Sequence, residues 1–392
     1  MRAVAARPIV QRTALIVGAG IGGLSAGIAL RHAGWRVCIV ERGVSPRELG
    51  FGLGLAPNAV QALRALGVAD AVLARGFAPR RGELRRMDGT VLKRAELPPQ
   101  ALGGPLFMAL RPALHGALLD AIGPEALTLG CEATGFTTDG GRVTLRLADG
   151  RLIEGDLLIG ADGIGSVVRR QLHPAEPPPR PSGLVAVRGA VHGALAHLGD
   201  LSAVYYLGPG VESVLIRASE TGIYWFLSLA RELVPPGLRE AAAVVAHMAP
   251  RFDATFNAVT SRTNDLRLDE LVDRDPLPAW GRGVVTLAGD AAHPLLPHTG
   301  QGAAQALVDA VALGARLRNG AAVEPALRAY ERERQPRTAA LLSQGRRTAR
   351  LMRMTNPVGC SIRELVVRAI PVAPLMRLMV AVNRRAGTDV GG

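Results

Sequence analysis

Ala14-Leu15-Ile16-Val17-Gly18-Ala19-Gly20-Ile21-Gly22-Gly23 is the stretch that decides the fold. Its first four residues are continuously apolar, which is typical of a strand buried on both faces. The glycines follow in G-x-G-x-x-G spacing. Gly18 permits a tight turn, Gly20 lets the backbone approach a pyrophosphate, and Gly23 lets the next helix pack close to the strand. The stretch therefore predicts the strand, turn and helix of a dinucleotide-binding site.

An acidic residue completes this unit. Residues 36–40 are predicted to form the second strand, and Glu41 follows it. A carboxylate about 20 residues past the glycines is placed to accept hydrogen bonds from ribose hydroxyls. Ile21 and Gly22 lie at the predicted helix start, where unpaired amides and the helix dipole favour an anion by roughly 0.3–2 kcal/mol. These residues, with Gly18, Gly20 and Gly23, are the first candidates for cofactor binding.

Two further glycine-rich motifs each follow an apolar run that predicts a buried strand. Gly160-Ala161-Asp162-Gly163 ends the first run, and Ala288-Gly289-Asp290-Ala291-Ala292-His293-Pro294 ends the second. Asp290, at a strand end, can bind a sugar hydroxyl. Gly300-Gln301-Gly302 then leads into a helix whose first amides are available to a ligand. We expect the three turns to bind a single nucleotide cofactor.

The composition is that of a folded protein, with 392 residues, 48% of them hydrophobic, and a mean hydropathy of +0.20. The net charge of +13 is almost entirely an excess of arginine, because Lys93 is the only lysine. The arginines are scattered and not interleaved with aromatic residues, so a nucleic-acid partner is not expected. Cys38, Cys131 and Cys360 are too far apart to form a disulfide framework or a redox pair, which predicts a cytoplasmic location. No metal site is expected.

The order of the motifs resembles that of the single-component FAD-dependent aromatic hydroxylases, of the para-hydroxybenzoate and salicylate hydroxylase type, over nearly the whole chain. The resemblance implies FAD as cofactor and NADH or NADPH as co-substrate. It also implies that one atom of O2 is inserted into a small aromatic or polyketide/quinone-like substrate through a flavin C4a-hydroperoxide. A monomer or homodimer is expected.

The same resemblance assigns cofactor-binding roles to residues of this chain. Gly18, Gly20, Gly23 and Glu41 match the family's ADP-binding fingerprint. Asp162 and Gly163 match its Asp-Gly motif, and Asp290 matches its Gly-Asp motif. Residues 294–302, with Pro297, Gly300, Gln301 and Gly302, match the loop beside the flavin ring. Arg111 matches an arginine that contacts FAD. Arg42 and Arg47 are further candidates for contact with FAD.

Four residues are predicted on the substrate side. His298 lies between Pro297 and Gly300, where the family more often has an apolar or aromatic residue, and it is the candidate base that removes a proton from a phenolic substrate. Tyr206, Arg217 and Trp225 lie in or beside strand-like segments and are expected to line the substrate pocket.

The predicted fold class is α/β, with a Rossmann-like FAD-binding domain, a β-sheet-rich substrate domain and a C-terminal helical region. The FAD-binding domain is expected to comprise residues 1–76, 98–180 and 275–345. The substrate domain is expected to comprise residues 77–97 and 181–274, and the C-terminal helical region residues 346–392. Residues 142–153 read as a hairpin around an Asp-Gly turn. Residues 362–382 are apolar but interrupted by charges and two prolines, so a helix pair covering the core is favoured over contact with a membrane.

Two other functions stay open from the sequence. The same flavin chemistry can act on an alkene, which would make the protein an epoxidase. The chain could also be a noncatalytic flavin- or ligand-binding relative. Disulfide reductases are excluded because there is no cysteine pair and no second nucleotide fingerprint.

Overall fold

The computed structural model describes residues 11–45, 51–96, 104, 106–318 and 320–371. The strands in these ranges are β1 (Thr13–Val17), β2 (Arg36–Val40), β3 (Gly52–Leu55), β4 (Arg81–Arg86), β5 (Val91–Glu96), β6 (Phe107–Leu110), β7 (Leu127–Thr128), β8 (Ala133–Asp139), β9 (Arg142–Leu147), β10 (Leu152–Gly155), β11 (Leu157–Gly160), β12 (Arg180–His192), β13 (Ala203–Gly208), β14 (Val211–Arg217), β15 (Gly222–Ala230), β16 (Leu266–Asp273) and β17 (Val285–Leu287). The helices are α1 (Ile21–His32), α2 (Pro57–Ala65), α3 (Ala69–Leu73), α4 (Arg111–Ile122), α5 (Val167–Leu172), α6 (Ala241–Met248), α7 (Ala254–Thr260), α8 (Gly302–Arg316), α9 (Val323–Met352) and α10 (Pro357–Ala369).

A five-stranded parallel sheet in the order β17-β11-β1-β2-β7 carries the three glycine motifs. Because the strands are parallel, their carboxyl ends lie along one edge of the sheet, which is where ligands bind in open α/β sheets. Gly18 follows β1 there, Glu41 follows β2, Ala161 follows β11 and Ala288 follows β17. Motifs more than 100 residues apart in sequence are thereby brought together.

Close helix packing supports this sheet. An added Cβ at Gly23 would lie 1.8 Å from the Gly18 carbonyl oxygen, and one at Gly314 would lie 2.9 Å from the Ala29 carbonyl oxygen. The close contact at Gly23 packs α1 against the end of β1, and the close contact at Gly314 packs α8 against α1. Apolar side chains of β1, β2 and β11 fill the space between these layers and form the largest hydrophobic core.

A seven-stranded sheet in the order β16-β12-β15-β14-β13-β4-β5 forms the second layer. Its side chains alternate between two faces, as the pleat of a strand requires. On β15, Trp225 points to the face covered by α6 and α7, whereas Tyr224 points to the face that meets β3 and β6. Arg81–Arg86 also joins this sheet, since β4 pairs with β13.

The smaller elements agree with the sequence patterns where the two can be compared. Residues 142–155 form the predicted hairpin, with Arg146 opposite Leu152, and β8 extends it to three strands. α9 runs through the predicted boundary between residues 345 and 346, so that boundary does not coincide with a helix end. Residues 372–392 of the predicted C-terminal helical region lie outside the described residues.

The predicted fold class is confirmed: a Rossmann-like layer, a sheet-rich layer and C-terminal helices are all present. Among the helices that the structure describes, none is both long enough and apolar enough to cross a membrane.

Two helical glycines provide a test of the packing. Gly23→Ala is expected to lower the free energy of unfolding by about 3 kcal/mol, the upper end of overpacking costs, because its methyl group meets the Gly18 backbone. Gly116→Ala, in α4, is the matched control. Its added Cβ meets no atom within 4 Å, and it should be neutral or stabilising by up to about 1 kcal/mol. Urea denaturation measures both variants, and equal stability of the two would contradict the packing described here.

Candidate active site

The first turn leaves room for a phosphate group. Gly18 has φ +101° and donates its N–H to the Val40 carbonyl at 2.8 Å, and an added Cβ there would lie 2.6 Å from the Ala161 carbonyl oxygen. A Cβ at Gly20 would meet nothing within 4 Å, so the Gly20 backbone borders open space. The N-terminus of α1 has neither a side-chain cap nor an acidic residue in its first turn. Its amides therefore fit a pyrophosphate.

Glu41 is fixed beside that turn by two backbone amides. Its Oε2 accepts from the Ala19 N–H at 2.9 Å and its Oε1 accepts from the Gly43 N–H at 2.8 Å. Each carboxylate oxygen keeps a further lone pair, which can accept from a ribose hydroxyl. Arg42 is exposed next to it, whereas Arg47 lies outside the described residues. Buried His115 places Nε2 2.8 Å from the Ala19 carbonyl oxygen. This residue was not predicted, because no motif marks a lone histidine within a helix.

The second motif turns directly against the first. Asp162 accepts the Val167 N–H at 2.7 Å through Oδ2, while its buried Oδ1 has no hydrogen-bond partner within the described ranges. Burial raises the pKa of Asp162, opposed by bonds from Ser166 and Val167. Gly163 has φ +75° and borders open space. A cofactor hydroxyl donating to Oδ1 would satisfy the orphaned oxygen.

Buried Asp309 on α8 organises the third motif. Its Oδ2 accepts from the Gly289 N–H at 2.9 Å and lies 2.6 Å from His293 Nε2, and its Oδ1 accepts from Arg334 Nε at 2.8 Å. Burial alone would raise the pKa of Asp309, but His293 and Arg334 outweigh it and hold the pKa below its usual value. The carboxylate fixes the turn that presents exposed Asp290 at the end of β17.

The hydrogen bonds that begin at Asp309 continue to the loop before α8. Arg334 donates to Gln305, Gln305 Nε2 donates to Gln301 Oε1 at 3.1 Å, and Asn58 Nδ2 donates to the same oxygen at 3.1 Å. Gln301 is thus buried and its backbone is fixed between two glycines. Gly300 has φ +63°, and added Cβ atoms at Gly300 or Gly302 would meet nothing within 4 Å. The loop therefore exposes its backbone to open space, as contact with a flat ring requires.

Arg169 joins the second motif to the third, a role that no sequence motif indicates. This guanidinium is almost fully buried and donates from Nη1 to the carbonyls of Ala291 and Ala292, each at 2.9 Å. Glu176 pairs with its other edge, which leaves the charge compensated. The Asp290 turn is accordingly held by Asp309 on one side and Arg169 on the other.

His298 is paired with a carboxylate from the seven-stranded sheet. Its Nδ1 lies 2.8 Å from Glu212 Oε2 on β14, and its side chain is fully enclosed. Because an ionised carboxylate only accepts, we assign the proton to Nδ1. Nε2 then carries the lone pair, and it has no hydrogen-bond partner in the described part of the chain. Pro297 opens the short turn that carries this histidine.

The prediction for Tyr206 and Trp225 needs correction, because both point away from residues 294–302, the loop that the resemblance places beside the flavin ring and that is called the flavin loop below. The Tyr206 hydroxyl donates to Asp253 Oδ1 at 2.8 Å, and Trp225 Nε1 donates to Thr263 Oγ1 at 2.8 Å, within the core beneath α7. A strand reverses face at every residue, so periodicity alone could not tell which tyrosine faces the cofactor. Arg217 stacks on Phe77 at 3.9 Å, at the end of β14.

The opposite face presents Tyr205 and Tyr224. Tyr205 is 42% exposed, yet its dense surroundings and Glu212 raise its pKa to about 12. Burial also raises the pKa of Tyr224 to about 12, although Arg188 and Arg111 act in the opposite direction. Neither hydroxyl has a hydrogen-bond partner among the residues described. At neutral pH both are protonated donors directed to the face that meets the flavin loop.

In the residues that the structure describes, no group of three or more His, Cys, Asp and Glu side chains could hold a metal ion. Arg111 begins α4, where its N–H donates to the Phe51 carbonyl at 3.0 Å, and it lies close enough to Tyr224 to influence that phenol. The arginine predicted to contact FAD therefore lies between the nucleotide layer and the seven-stranded sheet.

The geometry agrees with what the chain is similar to. Residues 11–345 match the FAD binding domain family model. Aurachin C monooxygenase/isomerase of Stigmatella aurantiaca is 33% identical over 363 residues, 91% of this chain and 94% of that protein. 3-Hydroxybenzoate 6-hydroxylase 1 of Aquipseudomonas alcaligenes is 34% identical over 356 residues, 85% and 87% of the two chains.

The crystal structure of Klebsiella pneumoniae HpxO, complexed with FAD and uric acid, is similar with a TM-score of 0.87 at 28% identity, covering 97% of this chain and 98% of that one. With three converging turns that fit a dinucleotide and relatives that are monooxygenases along most of the chain, the protein belongs to the single-component FAD-dependent aromatic hydroxylases.

Proposed function

We propose that this enzyme uses NAD(P)H and O2 to add one oxygen atom to a planar ring compound that carries an acidic hydroxyl or a carbonyl oxygen. The observation that carries the proposal is the pair of tyrosine hydroxyls, Tyr205 and Tyr224, on the sheet face that meets the flavin loop through Glu212 and His298. Relatives whose names specify a hydroxybenzoate or aurachin C support a ring substrate of this type.

The groups around the cofactor have separate roles in this proposal. When bound, FAD would be reduced by NAD(P)H and would then activate O2. Gly20 and the α1 amides would hold its pyrophosphate, Glu41 its ribose, and Asp290 its ribityl region, while Gly300 and Gly302 face the ring. Arg111 is placed to contact the same cofactor between the two layers.

Side chains that donate hydrogen bonds would recognise the substrate. Tyr205 and Tyr224 stay protonated at neutral pH, so each can donate a hydrogen bond to a substrate oxygen. Arg188 lies near Tyr224, and its Nε is buried without a partner in the described ranges, although Nη2 pairs with Asp269. Donors without matching acceptors favour a substrate with a partly negative oxygen.

We retain His298 as the proton acceptor and add Glu212 as its positioning residue. Glu212 fixes the tautomer, so Nε2 is the atom that would take a proton from the substrate. The His298 ring is enclosed, and contact with substrate therefore requires the loop 297–302 to shift when substrate binds. Arg217 is not carried forward as a pocket residue, because its guanidinium is engaged by Phe77 and Glu220.

The division of the chain into FAD-binding, substrate-binding and C-terminal units is also proposed. Its support is that the apolar cluster of the parallel sheet and that beneath α7 share no residue. A monomer or homodimer remains our prediction.

Gly20→Val tests the pyrophosphate site. The side chain has space, so the protein should fold, but it would occupy the path of the phosphates. Loss of one or two charge-assisted hydrogen bonds, about 1.5–3 kcal/mol each, predicts at least a tenfold weaker affinity for FAD. Flavin absorbance per protein, with far-UV circular dichroism as the fold check, measures this. Gly116→Val is the control, and full flavin content in Gly20→Val would exclude the assignment.

Tyr205→Phe and Tyr206→Phe form a matched pair on opposite faces. Substrate-stimulated NAD(P)H oxidation and product mass are measured with phenolic, quinone and polyene compounds. With the best substrate, Tyr205→Phe should lower kcat/KM by about tenfold through loss of a hydrogen bond, whereas Tyr206→Phe should leave it unchanged and lower stability by about 1–2 kcal/mol. The proposal fails if no ring compound gains one oxygen atom, or if both variants change kcat/KM equally.

His298→Gln tests the proton acceptor. Hydroxylation of a phenolic substrate should slow by about 100-fold at neutral pH, the lower range for loss of a general base. The defect should shrink as pH rises through the pKa of the substrate phenol, because the phenolate then forms without help. Single-turnover product formation across pH measures this. A defect of constant size at every pH would instead indicate a purely structural role.

A further inference from the structure

The outer face of α10 is apolar, and within the described ranges it is exposed. Its exposed side chains recur at helical spacing (i, i+4, i+7, i+8) and are between 47% and 68% exposed; they are Val358, Ile362, Leu365 and Val366. Ile370 extends the row past the helix end. A continuous apolar strip of this kind on a protein surface marks an interaction site.

The inner face of α10 is anchored to the rest of the protein, so the strip is held in place. Buried Arg363 donates from Nη2 to the Gly208 carbonyl at 2.8 Å, and Glu364 pairs with Arg86 on β4. Asn356 caps the start of the helix, because its Oδ1 accepts from the N–H three residues further on at 3.0 Å. Gly208 lies at the β13–β14 turn, four residues before Glu212. The strip is therefore rigidly connected to the sheet that carries the substrate-facing tyrosines.

Basic residues outnumber acidic ones in the C-terminal part of the sequence that contains α10. From Arg346 to the end of the chain the sequence contains nine arginines and two acidic residues, Glu364 and Asp389. These 47 residues thus carry +7 of the net charge of +13. Arg350 is exposed before α10 and Arg368 is exposed at its end, and these are the flanking arginines of the strip. Arg353 is exposed but pairs with Glu232 at 2.8 Å, and Glu364 is largely buried and pairs with Arg86. The arginines that seemed scattered in the sequence are enriched here.

We propose that the outer face of α10 docks on an anionic lipid bilayer, with Ile362 and Leu365 entering the interface and the flanking arginines contacting lipid phosphates. An apolar strip bordered by cations is the composition of an interfacial helix. A second copy of this chain fits the strip less well, since it would bring like charges together. The sequence alone favoured a helix pair covering the core over residues 362–382; residues 372–382 lie outside the described ranges, so the helix pair stays a prediction.

Vesicle flotation tests the proposal with the intact FAD-loaded protein. Wild-type protein should bind vesicles of phosphatidylglycerol and phosphatidylcholine, and binding should weaken at high salt and in pure phosphatidylcholine. Leu365→Glu should weaken binding by about tenfold or more. Leu152→Glu, a comparably exposed leucine on β10, is the control and should bind like wild type. Flavin content should be unchanged in both variants, which separates this test from the proposed reaction.

Three results would overturn the proposal. One is failure of the wild-type protein to float with anionic vesicles, and another is equal binding by the two leucine variants. The third is a concentration-dependent dimer in sedimentation velocity that Leu365→Glu dissociates without any vesicle binding, which would assign the strip to a second copy of the chain.

Discussion

The contact between the start of α1 and the end of β1 is the constraint on which the rest of the structure depends. Gly23 lies so close to the Gly18 carbonyl that no side chain fits between them. This approach directs the amides of α1 toward the edge where β1, β2, β11 and β17 end. A dinucleotide bound along that edge would meet the helix N-terminus with its pyrophosphate and the other turns with the rest of the molecule, so one cofactor would connect distant parts of the chain.

The turns themselves are held from behind by buried ionic groups. Asp309 binds the Gly289 turn, and through Arg334, Gln305 and Gln301 the same chain of hydrogen bonds reaches the loop before α8. Arg169 contacts the other side of the turn. Buried charges are costly unless compensated, and each of these has its counter-charge. The result is a cofactor site whose exposed backbone is positioned by side chains that need not contact the cofactor themselves.

The two faces of the seven-stranded sheet pack against different parts of the protein. Tyr206 and Trp225 build the core beneath α7, and their immediate neighbours Tyr205 and Tyr224 face the nucleotide layer. Gly52 makes the second arrangement possible, because an added Cβ there would lie 2.3 Å from the Tyr224 ring. Glu212 and His298 then join this face to the flavin loop.

The sequence by itself determined the nucleotide layer, because its evidence is local: an apolar run, glycines at fixed spacing and Glu41 are all read within 30 residues. It also indicated the order of the three motifs and hence the family. Only the tertiary structure decided which residues of the seven-stranded sheet face the nucleotide layer, since a shift of one residue reverses the face of a strand. The same holds for Asp309, Arg169, His115 and Glu212, whose contacts with the turns of the site span 16 to 123 residues. Contacts across such distances depend on packing, and no pattern in the neighbouring sequence specifies them.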